Sequence, residues 1–453
     1  MPTTLNPATE TEIQRYDALD ASALDAALDR AADAFEAHRQ SGWADRAQSM
    51  RRLADLLDEQ KDDLGRLMTT EMGKPLDQAV AEAEKCAWVC RYYADHAKGF
   101  LADETRETEA QRSFVAYQPL GPVLAVMPWN FPFWQAFRFA APTVMAGNVG
   151  LLKHAEAVLG CGDRMAELFT EAGFAPGVFQ HLIITHDQTA DAIADDRTAA
   201  VTLTGSEGAG RAIGQQAGQA LKPSVLELGG TDAFVVLADA DLDRAVEVGV
   251  TARVQNNGQS CIAAKRFILE RPIADEFTRR FTRRMRALTV GDPLAPGTDL
   301  GPLVSADARA GIQDQVERAV ADGAEVLCGG EVPDGTGFYY PPTVLAHVEA
   351  GTVAFEEEIF GPVASLIVAE DADDAVRLAN DTRFGLGGSV WTADRQRGEA
   401  VARQIRSGAV FVNEMTKSHP NLPFGGVGAS GYGRELGRHG VRAFVNAKTV
   451  WID

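Results

Sequence analysis

A chain of 453 residues with 45% hydrophobic side chains is too long for one ordinary core, so two or three structural units are expected. Its net charge of -21 argues against a nucleic-acid partner, whose phosphates need a basic surface, and against docking on anionic membranes. No apolar stretch approaches the roughly 18–20 residues of a bilayer span. The start, "MPTTLNPATETEIQRYD", lacks the basic flank and apolar run of a signal peptide. The five cysteines, an odd number in a long chain, read as reduced thiols, which implies the cytoplasm. Nine lysines stand against 34 arginines. Such an acid-rich, lysine-poor balance resembles the proteomes of salt-loving organisms, where surface carboxylates hold water. It speaks to habitat rather than mechanism.

In chain order, residues 20–66 and 76–100 read as amphipathic helices, with apolar residues recurring at three and four. Cys86 and Cys90 fall at i,i+4 on the second and read as core, because no further ligand is spaced for a metal. "ETEAQRSFVAYQPLG" alternates and ends in a turn, which predicts an exposed hairpin. From residue 122 the pattern becomes short apolar runs separated by helices: "VLAVMPWN", "NVGLLKHAE", "GVFQHLII" and "AAVTLTG". The same rhythm recurs from 232 to 410, with strands at "DAFVVLADAD", "RFILERPI", "SLIVAED" and "GGSVWTAD". Such alternation predicts an α/β chain of βαβ units around parallel sheets.

Several stretches carry chemistry. In "VTLTGSEGAGRAIG" a strand meets a glycine-rich turn and a helix; Gly205, Gly208 and Gly210 would let the backbone approach a pyrophosphate at the helix N-terminus. A plain tight turn explains them equally well. An acidic ribose ligand about 20 positions on would be Glu227. Lys153 with Glu156, where "VGLLK" ends, is a second candidate for the ribose. Glu227 also ends a buried strand, and a desolvated carboxylate suits general-base work, so its two roles stand even. Asn130 in "MPWNFPFWQ" can donate to a developing oxyanion or merely cap a helix. Glu358 and Phe360 in "EEEIFGPV" point the same way on an extended segment. Cys261 in "GQSCIAAKR" is either a nucleophile or a packed hydrophobe.

In order along the chain, "MPWNFP", "LLKHAE", "LTGSEGAG", "LELGG", "GQSC", "EEIFGPV" and "PFGGVGASGYGREL" resemble the aldehyde dehydrogenase superfamily nearly end to end. "NFPFWQAFRFAAPTVMAGN", "GQSCIAAKRF" and "NEMTKSHPNLPFGG" resemble its NAD(P)-dependent succinate-semialdehyde dehydrogenase branch. The resemblance implies a Rossmann-like coenzyme domain (1–100 and 120–228), an α/β catalytic domain (229–433) and a small β oligomerisation element (101–119 and 434–453). It implies Cys261 as nucleophile, Glu227 as general base and Asn130 as oxyanion-hole amide. Lys153 and Glu156 fall on its adenosine-ribose positions and Gly205 and Ser206 on its pyrophosphate turn. Glu358 and Phe360 fall on its nicotinamide-ribose position, with Trp129 and Leu228 beside the cofactor. An aldehyde would become an acid through a cysteine thiohemiacetal and thioester, and no metal is implied. Glu156, which can accept from both ribose hydroxyls but repels a 2′-phosphate, predicts NAD with weaker NADP use. Arg138, two helical turns after Asn130, and Ser418, with Ser260 assisting, are expected to anchor the carboxylate of a semialdehyde. The exposed edges of the β element predict a homodimer or homotetramer.

Overall fold

The computed structural model describes residues 1–453. Its first sheet runs in the order Gly431–Tyr432, Ser224–Glu227, Ala200–Thr204, Pro122–Met127, Val149–His154 and Phe179–His181. The last five are parallel, as the alternation of apolar runs and helices predicts. The winding reverses beside Pro122–Met127, whose neighbours are the next strand in sequence on one side and Ala200–Thr204 on the other. Open parallel sheets leave a crevice at such a switch point, outside the carboxyl ends of the strands. Those two ends lead into Trp129-Asn130 and Gly205-Ser206. Gly431–Tyr432, expected with the catalytic part, crosses back and pairs antiparallel with Leu226 and Glu227, covering what would be an open edge.

The second sheet runs Glu325–Cys328, Thr343–Ala346, Val363–Ala369, Arg266–Glu270, Ala233–Val236, Gly388–Trp391 and Phe411–Val412. All its pairings are parallel except the first. Side chains on a strand alternate between faces, and here Phe234 and Val236 enter one core while Ala233 and Val235 enter another. Burial on both faces is why these strands read as unbroken apolar runs.

The amphipathic stretch over 20–66 is broken into Ala21–His38, Trp43–Glu59 and Lys61–Met72. At the first break the Arg46 guanidinium donates to the carbonyls of His38 (3.2 Å) and Ser41 (3.1 Å), satisfying groups that a helix end leaves without partners. Leu76–Phe100 forms as expected, with Cys86 and Cys90 buried in the core. A hairpin of Thr3–Asn6 and Thr11–Arg15 was not foreseen; its second strand is exposed throughout, so it carries no apolar alternation to read.

In the third sheet Val445–Ile452 pairs with Arg112–Pro119, which pairs on its other side with Glu104–Arg106. The predicted hairpin and the C-terminal strand therefore meet within one chain. Arg112–Pro119 is central, not an open edge, which corrects the expectation that both segments need a partner strand. Val445–Ile452 keeps a free edge and is largely exposed.

Candidate active site

Cys261 follows a backbone turn that few sequences tolerate. Asn256, Asn257 and Gly258 have φ of 58°, 59° and 72°, a left-handed run costing about 1–2 kcal/mol per ordinary residue and least for asparagine and glycine. Side-chain hydrogen bonds offset that cost. Asn256 Nδ2 donates to the carbonyls of Asn130 (2.7 Å) and Gln259 (2.9 Å). Asn257 Nδ2 donates to those of Gly73 and Pro302, each at 2.8 Å, and its Oδ1 accepts from Gly301 N at 2.8 Å. At Gly258 a Cβ would stand 2.4 Å from the Gly361 carbonyl carbon. Lys265 Nζ then donates to the carbonyls of Ser260 (3.0 Å) and Cys261 (2.6 Å), fixing the cysteine at the end of the turn.

Two cavities meet at this cysteine. One, of about 300 Å³, is lined by Trp129, Asn130, Gly205, Ser206, Leu228, Glu358 and Phe360 among others. The second, of about 260 Å³, includes Arg138, Ser260, Ser418 and Phe424 in its wall. Cys261 and Gln135 belong to both walls. Burial pushes the Cys261 thiol up to about 12, against the pull of the Arg138 and Lys265 charges. The resting sulfur therefore holds its proton and needs an acceptor to become a nucleophile.

The carboxylates whose charges act on Cys261 are Glu358 and Asp232; Glu227, outside both cavity walls, ends its strand and is 2% exposed. Neither carboxylate oxygen has a hydrogen-bond partner. Burial, and then the negative charge of Glu435, hold its pKa well above the usual range, the condition for base strength near neutral pH. Arg138 ion-pairs Glu435 in the same buried layer. A Cβ at Gly425 would stand 2.4 Å from Glu227 Oε1, so the glycine of "PFGG" keeps room for this carboxylate. Asn130 spends one amide hydrogen on the Gln259 carbonyl (3.0 Å); an amide has two, and the other is free to donate.

The first cavity fits a dinucleotide. Ser206 caps the helix Glu207–Gln219, accepting from Ala209 N at 3.3 Å, so the positive end of that helix opens beside Gly205 and Ser206. The Trp129 and Phe360 rings meet edge to face at 5.8 Å, and Lys265 pairs with Glu358 at 2.9 Å. A Cβ on Gly229 would stand 2.0 Å from Glu358 Oε2. Gly208 borders open space, whereas a Cβ on Gly210 would stand 2.5 Å from the Leu228 side chain. Gly210 thus serves helix–strand packing rather than phosphate approach, a correction to the reading of all three glycines as one cradle. Lys153 and Glu156 are not in this wall. They lie at the carboxyl end of the adjacent strand, Lys153 buried and without an ion pair, Glu156 exposed.

All three expected carboxylate anchors line the second cavity. Arg138 is fully buried rather than at the surface; besides Glu435 it reaches Thr204 Oγ1 at 3.4 Å and lies 4.4 Å over the Phe424 ring. Two wall residues were missed: Gln135, whose carbonyl oxygen is buried without a partner, and Lys85. Lys85 is only half-buried on the helix Leu76–Phe100, three residues after the buried Glu82, so its sequence position alone gave no signal.

A two-sheet α/β chain with a cysteine where a dinucleotide crevice meets a second pocket has the architecture of a thiol-dependent oxidoreductase. The chain belongs to the aldehyde dehydrogenase family, which it matches over residues 2–450. It is 53% identical to a probable succinate-semialdehyde dehydrogenase [NADP(+)] of Synechocystis, covering 99% of both chains. It is 50% identical to succinate-semialdehyde dehydrogenase [NADP(+)] 1 of Mycobacterium tuberculosis, again over 99% of both. Among solved structures it superposes with a TM-score of 0.98 and 37% identity on succinic semialdehyde dehydrogenase from Streptococcus pyogenes in complex with NADP+, covering 100% of each chain. A nicotinamide dinucleotide is therefore the cofactor class. The expectation of NAD as the primary cofactor gains no support, because these relatives carry NADP.

Proposed function

We propose that the chain oxidises succinate semialdehyde to succinate, with Cys261 as nucleophile, Glu227 as base and Asn130 as oxyanion donor. The observation that carries this reading is the position of Cys261 in the common wall of a dinucleotide cavity and a pocket holding Arg138, Ser260, Ser418 and Lys85. A bound nicotinamide dinucleotide supplies the hydride acceptor. The chain's own residues do the rest. Cys261 passes its proton through Glu227 to solvent as its sulfur adds to the aldehyde carbon, while the free amide hydrogen of Asn130 stabilises the oxyanion. After oxidation the acyl group rests on Cys261 as a thioester. Glu227 takes a proton from water as that water attacks the thioester carbon, and the acid leaves with the sulfur restored.

For the cofactor we favour NADP with NAD tolerated. Glu156 acts on the buried Lys153 through its charge but is exposed and in no ion pair, so it can turn into water and leave the Lys153 ammonium for a 2′-phosphate. Trp129, Leu228, Gly205, Ser206, Glu358 and Phe360 would hold the rest of the dinucleotide. Two chains are proposed to join along the free edge of Val445–Ile452, in the cytoplasm, and the acid-rich surface is read as adaptation to high salt. The test is a profile of kcat/KM for succinate semialdehyde, glutarate semialdehyde and butanal with each cofactor. Succinate semialdehyde with NADP is expected to lead. A lead for butanal overturns the substrate reading, and activity with NAD alone overturns the cofactor reading.

A further inference from the structure

The charges lining the second cavity do not cancel. Its charged wall residues are Lys85, Arg138, Glu414 and Lys417. Lys417 pairs with Glu414 at 3.0 Å, and Arg138 pairs with Glu435. Lys85 has no carboxylate partner. Its one polar contact is a hydrogen bond to Ser418 Oγ at 2.9 Å, and its ammonium lies 4.2 Å over the Trp134 ring. The nearest carboxylate on its own helix, Glu82, is already engaged: Oε2 pairs with Lys74, and Oε1 accepts from the N–H groups of Phe133 and Trp134, each at 2.9 Å. A cation half removed from water with no counter-ion is costly unless a ligand supplies the missing charge.

We propose that Lys85 is the specificity-determining residue for the substrate's carboxylate, with Ser418 as its partner and Trp134 as its platform. The inference rests on the reading of the substrate as a carboxylated aldehyde and goes beyond it by moving the decisive charge from Arg138 to Lys85. Arg138 already answers to Glu435, so a bound carboxylate there would place a second negative charge on one guanidinium. At Lys85 it completes a missing pair. The Ser418 hydroxyl accepts from Lys85 and keeps its own hydrogen to donate to the same carboxylate, so the two form a charged and a neutral donor side by side. The remaining wall, with Phe131, Ile262, Met415 and Phe424, suits a short aliphatic chain reaching from that end to Cys261.

The test compares succinate semialdehyde with butanal, which has the same carbon count and no charge, in the wild type and in Lys85→Met. The ratio of kcat/KM for the two aldehydes is expected to fall roughly 10- to 100-fold in the variant, the size of one lost charged hydrogen bond, chiefly through the KM for succinate semialdehyde. Lys85→Arg should restore part of it. A ratio unchanged within about twofold, or equal losses on both aldehydes, overturns the assignment while leaving the carboxylated substrate intact. A wild type that does not discriminate between the two overturns the substrate reading itself. If Lys85→Met does not fold, protection of the wild-type Cys261 from iodoacetamide by succinate against butyrate, repeated in Lys85→Gln, gives the same decision: protection by succinate lost in the variant supports the assignment, and protection retained overturns it.

Discussion

At the scale of single residues, the site works by withholding partners. Glu227 lacks a hydrogen-bond partner and Lys85 a counter-ion, and Cys261 and Lys85 border space where a reactant fits. Lys85 makes this measurable. Its ammonium is pushed down to about 8, chiefly by burial and then by the positive charge of Arg138. The other groups facing it are Lys417, Glu82, which is engaged by Lys74, and the buried Cys86 thiol. The sign is that of a lowered cation: Lys85 is charged below about pH 8 and neutral above, while the substrate carboxylate stays ionised throughout. The KM for succinate semialdehyde should therefore rise between about pH 7 and about pH 9, and the KM for butanal should not rise in parallel. A flat profile for the semialdehyde contradicts the charge at Lys85. The ratio of the two is the readout, because Cys261 itself loses its proton more readily at high pH.

At the scale of elements, a buried ion pair sets the geometry. Lys74 and Glu82 have side-chain exposures of 1% and 2%. Glu82 caps the helix Pro132–Met145, which carries Gln135 and Arg138 and begins just after Asn130. Lys74 also lies 4.3 Å from the Phe131 ring centroid. Removing one partner of such a pair leaves a bare buried charge, so Lys74→Met should destabilise the fold by about 3–5 kcal/mol. Denaturant unfolding checks this; a loss within the range of a surface pair, about 1 kcal/mol or less, contradicts it. None of this was legible in the sequence. Glu82 and its helix are 51 positions apart, and Lys85 and Ser418 are 333 apart, so no local pattern announces either contact. That Cys261 and Asn130 border one cavity was legible because each sits in a short motif at the end of an element. The parallel strands were legible because burial on both faces makes them continuous apolar runs, and the exposed N-terminal hairpin was not, for the opposite reason. The first break within 20–66 was missed because Arg46 supplies, from five and eight residues downstream, what a cap would normally supply in place.

At the scale of the molecule, two sheets with separate cores bring their loops together at one cysteine. The first sheet contributes Asn130, Gly205-Ser206 and Glu227 from the carboxyl ends of its strands. The segments around the second sheet contribute Cys261, Glu358, Phe360 and the loop of Ser418. In the proposed mechanism an acyl group passes through Cys261 and is released by water that Glu227 activates. The most direct test is intact-protein mass spectrometry, with peptide mapping, of Glu227→Gln quenched after mixing with succinate semialdehyde and NADP. A succinyl group on Cys261, absent from Cys261→Ala, is the predicted result; succinate production by Cys261→Ala, or an acyl group on another residue, would contradict it.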